Sequence, residues 1–295
     1  MADGTIFDQP QETSLTAGHR FLGQKTSAGT ASTSATFALL GGLAIDSTYN
    51  TAADHADITG VAGTLHLVNM SALASDLNFT LPVAASIQTG EKVAVFVTVG
   101  DADYEMDLLS GATGDLINGT DHSSTSWSRL FITGEYIEFI CVDGATGDWA
   151  VSYDGRIPCA CTIADYSGTT NHFVSGAANV PAFDTTLINI GGMANLAGDQ
   201  IDIRRGGNYF LSFLATSPNM TSGNAVVSAI RDDAVNILYN RSLPNDAERR
   251  SLIISSTLPI VVGSAIDVIL NPDQTLTWDT GVSIAPTLSA VEVLT

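Results

Sequence analysis

The sequence predicts an all-β protein, and its composition is the first reason. Among 295 residues there are only seven Glu and two Lys, which commonly cover helix surfaces, whereas Asp, Thr, Ser, Gly, Val and Ile are frequent. These residues favour strands and tight turns. The second reason is a series of short alternating or β-branched runs separated by Gly, Asp and Pro. With 45% hydrophobic residues the strands can build real cores, so a mainly disordered chain is excluded.

Charge and hydropathy exclude two classes of function. Eleven Lys and Arg against 31 Asp and Glu give a net charge of −20, so the chain lacks the basic surface that nucleic-acid binding needs. No apolar run approaches the roughly 20 residues of a membrane helix. The first residues, Met1 to Thr13, are polar and acidic, which predicts no cleaved secretion signal. We therefore expect no nucleic acid among its partners and no membrane insertion.

The chain is predicted to have three parts. Residues 1–36 form an extended N-terminal arm, because residues 26–36 are small and polar and show no hydrophobic period. Residues 37–157 form a first β domain, a small sandwich or barrel, and residues 158–295 form a second. A frayed tail is the alternative for the arm. Isolated apolar residues of the arm are predicted to dock on the surface of another protein: Ile6, Phe7, Leu15, Phe21 and Leu22.

Strand patterns occur in both β domains. In the first domain they cover Thr64–Val68, Asn78–Leu81, Lys92–Val99, Tyr136–Val142 and Trp149–Tyr153. In the second, nine runs recur about every 8–12 residues, a spacing typical of sandwiches and barrels: Phe183–Ile190, Gln200–Arg204, Asn208–Leu214, Ala225–Arg231, Val235–Asn240, Arg250–Ser256, Ala265–Leu270, Thr275–Trp278 and Leu288–Leu294. Asp232 and Asp233 predict a hairpin turn, and Pro259 is expected between strands or at the end of one.

Four acidic residues make the best candidate cation site. Asp101, Asp103, Glu105 and Asp107 alternate with other residues, so in a strand all four carboxylates would project from one face. Calcium prefers such hard oxygen ligands, and Ca²⁺ is the one candidate cofactor. A solvated strand face is the simpler interpretation and the preferred one. We therefore assign none of the four residues as a metal ligand.

The cysteines and the basic residues suggest structural roles. Three cysteines are too few for a disulfide framework, and we expect buried free thiols with Cys159 and Cys161 on the same side of a strand. The basic residues of the second domain are expected to pair with acidic faces of a neighbouring subunit, with an anionic host sugar as the alternative: Arg204, Arg205, Arg241, Arg249 and Arg250.

The sequence gives no catalytic signal. The motifs G-x-S-x-G, H-E-x-x-H, G-x-x-x-x-G-K-[ST] and G-x-G-x-x-G are all missing, which predicts a protein that is not an enzyme. A pair of carboxylates brought together by folding stays open, because such a pair leaves no sequence spacing. Several aromatic residues are candidates for stacking on sugars, although aromatics at strand spacing more often belong to a core: Trp127, Trp149, Trp278, Tyr136, Tyr153 and Tyr209.

The second β domain resembles the jelly roll of the C1q and tumour-necrosis-factor families. The matching segments are Gly206–Phe213, Ala229–Ile237, Ile266–Leu270 and the closing Leu288–Thr295. The resemblance covers about 120 residues in the same order. It implies a jelly-roll domain that forms a compact homotrimer around an apolar three-fold axis.

The rest of the chain is similar to virion proteins of tailed phages. The arm resembles a phage head- and tail-fibre leader, and the first β domain resembles small domains of such virions. The segments that carry this similarity are Phe7–Pro10, Ser14–Lys25, Phe79–Pro82, Gly90–Val95, Leu116–Thr120, Trp149–Tyr153 and Asp154–Arg156. The similarity implies a structural protein that is assembled in the host cytoplasm and lies on the virion surface, bound to the major capsid or tail protein.

Two functions follow from these resemblances. The first is a trimeric capsid decoration, cement or head-fibre protein attached through its arm. The alternative is a short tail fibre that recognises a host surface glycan. A polysaccharide-degrading tailspike is less favoured, because a parallel β-helix would need many more repeating rungs. A cellular C1q-like adhesion module conflicts with the expected lack of a secretion signal.

Overall fold

The computed structural model describes most of the chain. The described residues are 43–49, 57–71, 73–166, 179–217, 225–242, 250–272 and 285–294. The arm residues Ile6, Phe7, Leu15, Phe21 and Leu22 and the predicted strand Thr275–Trp278 lie outside these ranges. Within them, strands are accompanied by a single 3-10 turn at Ala84–Ser86, which confirms the all-β prediction. The described part contains no helix long and apolar enough to span a membrane.

The chain divides between Gly155 and Arg156 into two compact units, here called the amino-terminal and carboxy-terminal units. The amino-terminal unit has these strands: β1 (Ala44–Asp46), β2 (Ile58–Thr59), β3 (Thr64–Asn69), β4 (Leu77–Thr80), β5 (Lys92–Val99), β6 (Met106–Leu109), β7 (Leu116–Ile117), β8 (Thr120–Asp121), β9 (Ser128–Leu130), β10 (Tyr136–Asp143) and β11 (Asp148–Gly155). They form a seven-stranded sheet in the order β1-β3-β5-β10-β11-β7-β8 and a four-stranded sheet in the order β2-β4-β6-β9.

The first six strands of this unit alternate between its two sheets. As a result β1, β3 and β5 pair in parallel in one sheet, and β2, β4 and β6 pair in parallel in the other. In the seven-stranded sheet, Ile45 of β1 lies beside Leu65 of β3, which lies beside Ala94 of β5. This parallel stacking differs from a simple antiparallel sandwich, and β10 then returns antiparallel to both β5 and β11.

A buried histidine joins the two sheets of the amino-terminal unit. The His66 ring, on β3, packs edge-on against Phe79 of β4, with 5.4 Å between the ring centres. Its Nε2 accepts the backbone N–H of Val61 at 3.0 Å, so the ring is neutral with its proton on Nδ1. That proton is donated to Asp46 Oδ2 at 3.0 Å. Burial lowers the pKa of His66, although Asp46 opposes the shift.

The described residues of the carboxy-terminal unit form a sandwich of two five-stranded sheets. Its strands are β12 (Ala160–Ala164), β13 (Thr185–Ile190), β14 (Ala194–Asn195), β15 (Gln200–Asp202), β16 (Gly207–Ser217), β17 (Val226–Asp232), β18 (Val235–Ser242), β19 (Arg250–Ile260), β20 (Ala265–Pro272) and β21 (Thr287–Val293). The sheet orders are β13-β12-β21-β16-β19 and β14-β15-β20-β17-β18. If the additional strands β13 and β14 are left out and the remaining eight are renumbered 1 to 8 along the chain, the first sheet has the order 1-8-3-6 and the second the order 2-7-4-5. This is a jelly roll, as the resemblance implied.

Two local predictions in the carboxy-terminal unit have different outcomes. The hairpin predicted at Asp232 and Asp233 is confirmed: Asp233 and Ala234, at φ +48° and +66°, connect β17 to β18. The prediction for Pro259 is met only in part: it does not lie between strands but within β19, one residue before the end of that strand and paired with Asn208. β19 is at the edge of its sheet, a place where proline is tolerated because one side of the strand has no neighbouring strand to bond.

Candidate functional site: an uncharged face of the jelly roll

One side of the β13-β12-β21-β16-β19 sheet points away from the core of its sandwich. Alternate residues of each strand project on this side, because successive side chains of a strand point to opposite faces. In a chain with a net charge of −20, none of the described side chains at these positions is charged. We call the following residues the uncharged face: Ala160, Thr162, Ala164, Thr185, Ile188, Ile190, Asn208, Phe210, Ser212, Leu214, Ile253, Ser255, Thr257, Pro259, Thr287, Ser289, Val291 and Val293.

An apolar row crosses the uncharged face. Ile190, Ala160, Val291 and Phe210 lie directly opposite one another on four neighbouring strands, and Thr257 completes the row on β19. Ile190 is 43% exposed, Phe210 42% and Val291 38%. Large apolar side chains aligned and exposed across a sheet are typical of a surface that another protein covers.

The next row is made of hydroxyl groups. Thr162, Ser289, Ser212 and Ser255 lie opposite one another across four strands. The Thr162 Oγ1 donates to Ser289 Oγ at 3.0 Å, so this pair of hydroxyls has a partner without water. Burying this row therefore costs less than burying isolated hydroxyls. The whole face suits burial better than a face of the same size with charged side chains.

Among the described side chains of these strands, the charged one, Glu292, points into the sandwich. Glu292 of β21 lies 3.1 Å from Arg205, and both side chains are almost completely buried. The same carboxylate accepts the backbone N–H of Cys159 at 3.0 Å, and Arg205 also donates to the Ile157 carbonyl. Tyr209 donates its hydroxyl hydrogen to the Arg205 carbonyl at 2.8 Å. Through its bonds to Cys159 and Ile157, the ion pair connects the first residues of the unit to its last strand, β21.

The predicted intersubunit role of the arginines is wrong for two of them. Arg205 is 1% exposed and pairs inside its own unit, and Arg204 is buried and donates to the Gly191 carbonyl. Sequence reasoning placed them at the surface because it had no way to locate Glu292. Arg241 is exposed, while the side chains of Arg249 and Arg250 lie outside the described part.

The cysteines agree with their prediction. Cys159 and Cys161 are both fully buried, as is Cys141 in the amino-terminal unit, and all three are free thiols. Burial, with a smaller contribution from Asp202, raises the pKa of Cys161 to about 12. These thiols therefore belong to the core and add no chemistry to the uncharged face.

The four carboxylates of the candidate cation site do not share a face. The expected strand begins only after Glu105, because Asp101 accepts the backbone N–H of Asp103 at 2.8 Å in a turn. Glu105 is buried, and Arg129 lies 2.8 Å from Asp107 and 3.9 Å from Glu105. Within the described ranges no three His, Cys, Asp or Glu side chains group in a way that could hold a metal ion.

The aromatic candidates separate into core and surface. Trp149 and Tyr209 are buried, which favours the core interpretation for these two residues. Trp127 packs edge-on against Phe139 at 5.8 Å. Tyr153 is exposed, and Trp278 lies outside the described residues. Phe210, the aromatic residue of the uncharged face, was not singled out from sequence, because a face becomes visible only when the strands are placed side by side.

Comparisons with known proteins add little to this description. No protein-family model and no curated protein matches the chain. Among solved structures, the chain is similar to the globular domain of zebrafish complement 1qA protein, with 11% identity and a TM-score of 0.34. The match covers 47% of this chain and 98% of that one. The jelly roll is established by its own strand order.

Proposed function

We propose that this chain is a trimeric structural protein of the tailed-phage virion surface, in the capsid decoration, cement or head-fibre class. The observation that supports self-association is the uncharged face. Copies that each carry a net charge of −20 repel one another, and the repulsion is weakest where no charged side chain intervenes. The apolar row of Ile190, Val291 and Phe210 supplies the favourable burial.

The size of the uncharged face suits such an association. Five strands about 4.8 Å apart and four rows about 6.8 Å apart cover roughly 24 by 27 Å, or about 650 Å². A stable interface of standard size uses about 800 Å² of accessible surface on each partner. The face is therefore of the right order for a specific contact between copies.

The placement on a phage particle is supported by the similarity of the arm and of segments such as Phe79–Pro82 to virion proteins. In this proposal the apolar arm residues bind the major capsid or tail protein. They are Ile6, Phe7, Leu15, Phe21 and Leu22. Three arms on one trimer act together, so modest individual contacts produce strong attachment.

A short tail fibre that recognises a host glycan is the second candidate. The strands β12, β16, β18 and β20 all end at the same end of the sandwich. The end of a rigid scaffold at which several strands stop is a common place for recognition. Binding of the protein to host cells in the absence of particles would favour this candidate.

Light scattering on the full-length protein tests self-association. We expect three times 30.7 kDa for the natural chain and monomers for Phe210→Asp, because the new carboxylate would be buried between copies. The matched control is Tyr239→Asp in the other sheet, where the side chain is 77% exposed, and this variant should remain a trimer. A natural chain that is a monomer or a dimer would contradict the proposal.

Attachment is tested separately with particles that lack this protein. Full-length protein should sediment with them, and a variant with both Phe7→Asp and Phe21→Asp should remain a trimer yet stay in solution. Equal sedimentation of the variant would show that the arm is not the attachment device.

A further inference from the structure

A groove lies in the amino-terminal unit, on the side of the seven-stranded sheet that faces away from the four-stranded sheet. Its volume is about 700 Å³, within the range of small-molecule sites. Leu65, Leu67 and Phe96 form an apolar floor, and Tyr136, Glu138 and Tyr153 line one side. All of these residues belong to β3, β5, β10 and β11, so neighbouring strands hold the groove in shape.

A fixed polar network borders the groove. The Glu138 carboxylate accepts hydrogen bonds from Ser152 Oγ at 2.7 Å, Lys92 Nζ at 2.8 Å and the Tyr136 hydroxyl at 3.1 Å. Burial would raise the pKa of Glu138, but the bonds from Lys92 and Ser152 outweigh it and hold the pKa below its ordinary value. Glu138 is therefore ionised, and the Lys92 ammonium balances its charge. The charged residue that lines the groove is thus neutralised by a neighbour, although the protein is strongly acidic.

Two tyrosines form an open corner beside this network. The rings of Tyr136 and Tyr153 are 5.4 Å apart and inclined at 54°. Tyr136 is half-buried, whereas Tyr153 is 57% exposed and presents its ring to solvent. Each tyrosine combines an apolar ring face with a hydroxyl. The Lys92 ammonium has three donors and directs one of them to Glu138, which leaves it able to donate to a ligand.

We infer that this groove binds a neutral saccharide. A sugar ring has an apolar face, which can stack on Tyr153, and several hydroxyls, which can bond to Lys92 and to the Tyr136 oxygen. An entirely apolar ligand that covers Lys92 would leave the donors of its ammonium that do not bond to Glu138 without partners. An anionic ligand would gain little attraction from Lys92, because Glu138 already balances its charge and the protein has a net charge of −20. The site lies outside the jelly roll, so it does not depend on the proposed trimer.

Saturation-transfer NMR on the full-length protein tests this inference. The probes are methyl glycosides of glucose, galactose, mannose and N-acetylglucosamine, short oligomers of each, and sialic and glucuronic acids as anionic comparisons. We expect transfer to at least one neutral sugar and none to the acids. Tyr153→Ala should weaken that binding about tenfold through loss of ring stacking, and Tyr153→Phe should preserve most of it.

The control is Tyr239→Ala, which removes an even more exposed tyrosine from the carboxy-terminal unit and should bind as the natural protein does. Because Tyr153 is mostly outside the core, its variants are expected to fold, and circular dichroism checks this. Transfer to none of the sugars, or only to the acids, would overturn the inference. So would equal binding by Tyr153→Ala, or displacement of the sugar by a fluorescent fatty acid, which would show an apolar site.

Discussion

Replacing Glu292 by Gln is expected to destabilise the carboxy-terminal unit by about 3–5 kcal/mol, the usual cost of removing one partner of a buried ion pair. The side chains of Arg205 and Glu292 are 1% and 2% exposed, so no water replaces the lost carboxylate. A glutamine oxygen can still accept the backbone N–H of Cys159, which isolates the electrostatic part of the loss. The Arg205 guanidinium then keeps partners such as the Ile157 carbonyl but has lost the buried carboxylate of Glu292.

The assay is urea unfolding of the full-length protein, with calorimetry to separate the two units. The chain concentration is held constant, because association would add to the measured stability. A second variant, Arg205→Met with Glu292→Leu, replaces both charges by apolar groups of similar size. It should fall within about 1–2 kcal/mol of the natural protein, since such replacements are often neutral. A loss below about 1 kcal/mol for Glu292→Gln would refute the reasoning, as would a double variant no more stable than the single one.

Three further predictions concern single positions. Ala234→Gly should stabilise the protein by about 1 kcal/mol, because glycine adopts the positive φ of this hairpin turn without strain; unchanged or lower stability in urea would contradict this. Since the pKa of His66 is lowered in the folded state, its contribution is complete above the ordinary value of 6.5 and is lost as the pH falls below it. Urea stability should decrease between pH 7.5 and pH 5, with a smaller decrease in His66→Gln; parallel pH profiles would exclude the histidine as the cause. Finally, the native protein should not react with a thiol reagent at pH 8, because all three thiols are buried and the pKa of Cys161 is raised to about 12. All three cysteines should react after unfolding. Modification of the native protein would show that at least one thiol is accessible.

Strand prediction from sequence succeeded where the pattern was long. Lys92–Val99 has its predicted limits, and Tyr136–Asp143 exceeds its prediction by a single residue. Strands such as Ile58–Thr59 and Leu116–Ile117 have only two residues, too few to show any period, and were missed. Their backbone conformation is set by the longer strands beside them.

The candidate sites were less accessible to sequence reasoning than the strands. The carboxylates of Asp101 to Asp107 looked like one face because a strand was assumed there, whereas a turn at Asp101 separates them. Conversely, the sequence analysis assigned no binding role to Phe210 or Val291, although each occurs in a strand pattern with apolar residues on both faces. That pattern is a usable signal, since a strand apolar on both sides needs a cover on both sides.

The sequence by itself determined the all-β class, the longer strands, the turn at Asp232 and Asp233 and the burial of the cysteines, because these depend on local pattern, backbone preference and hydrophobicity. The tertiary structure alone decided the parallel stacking of the first six strands, the inward direction of Arg205 and the uncharged face. Each of these requires groups that are far apart in the chain. Arg205 and Glu292 are separated by 87 positions, and no local pattern records which distant strand becomes a neighbour.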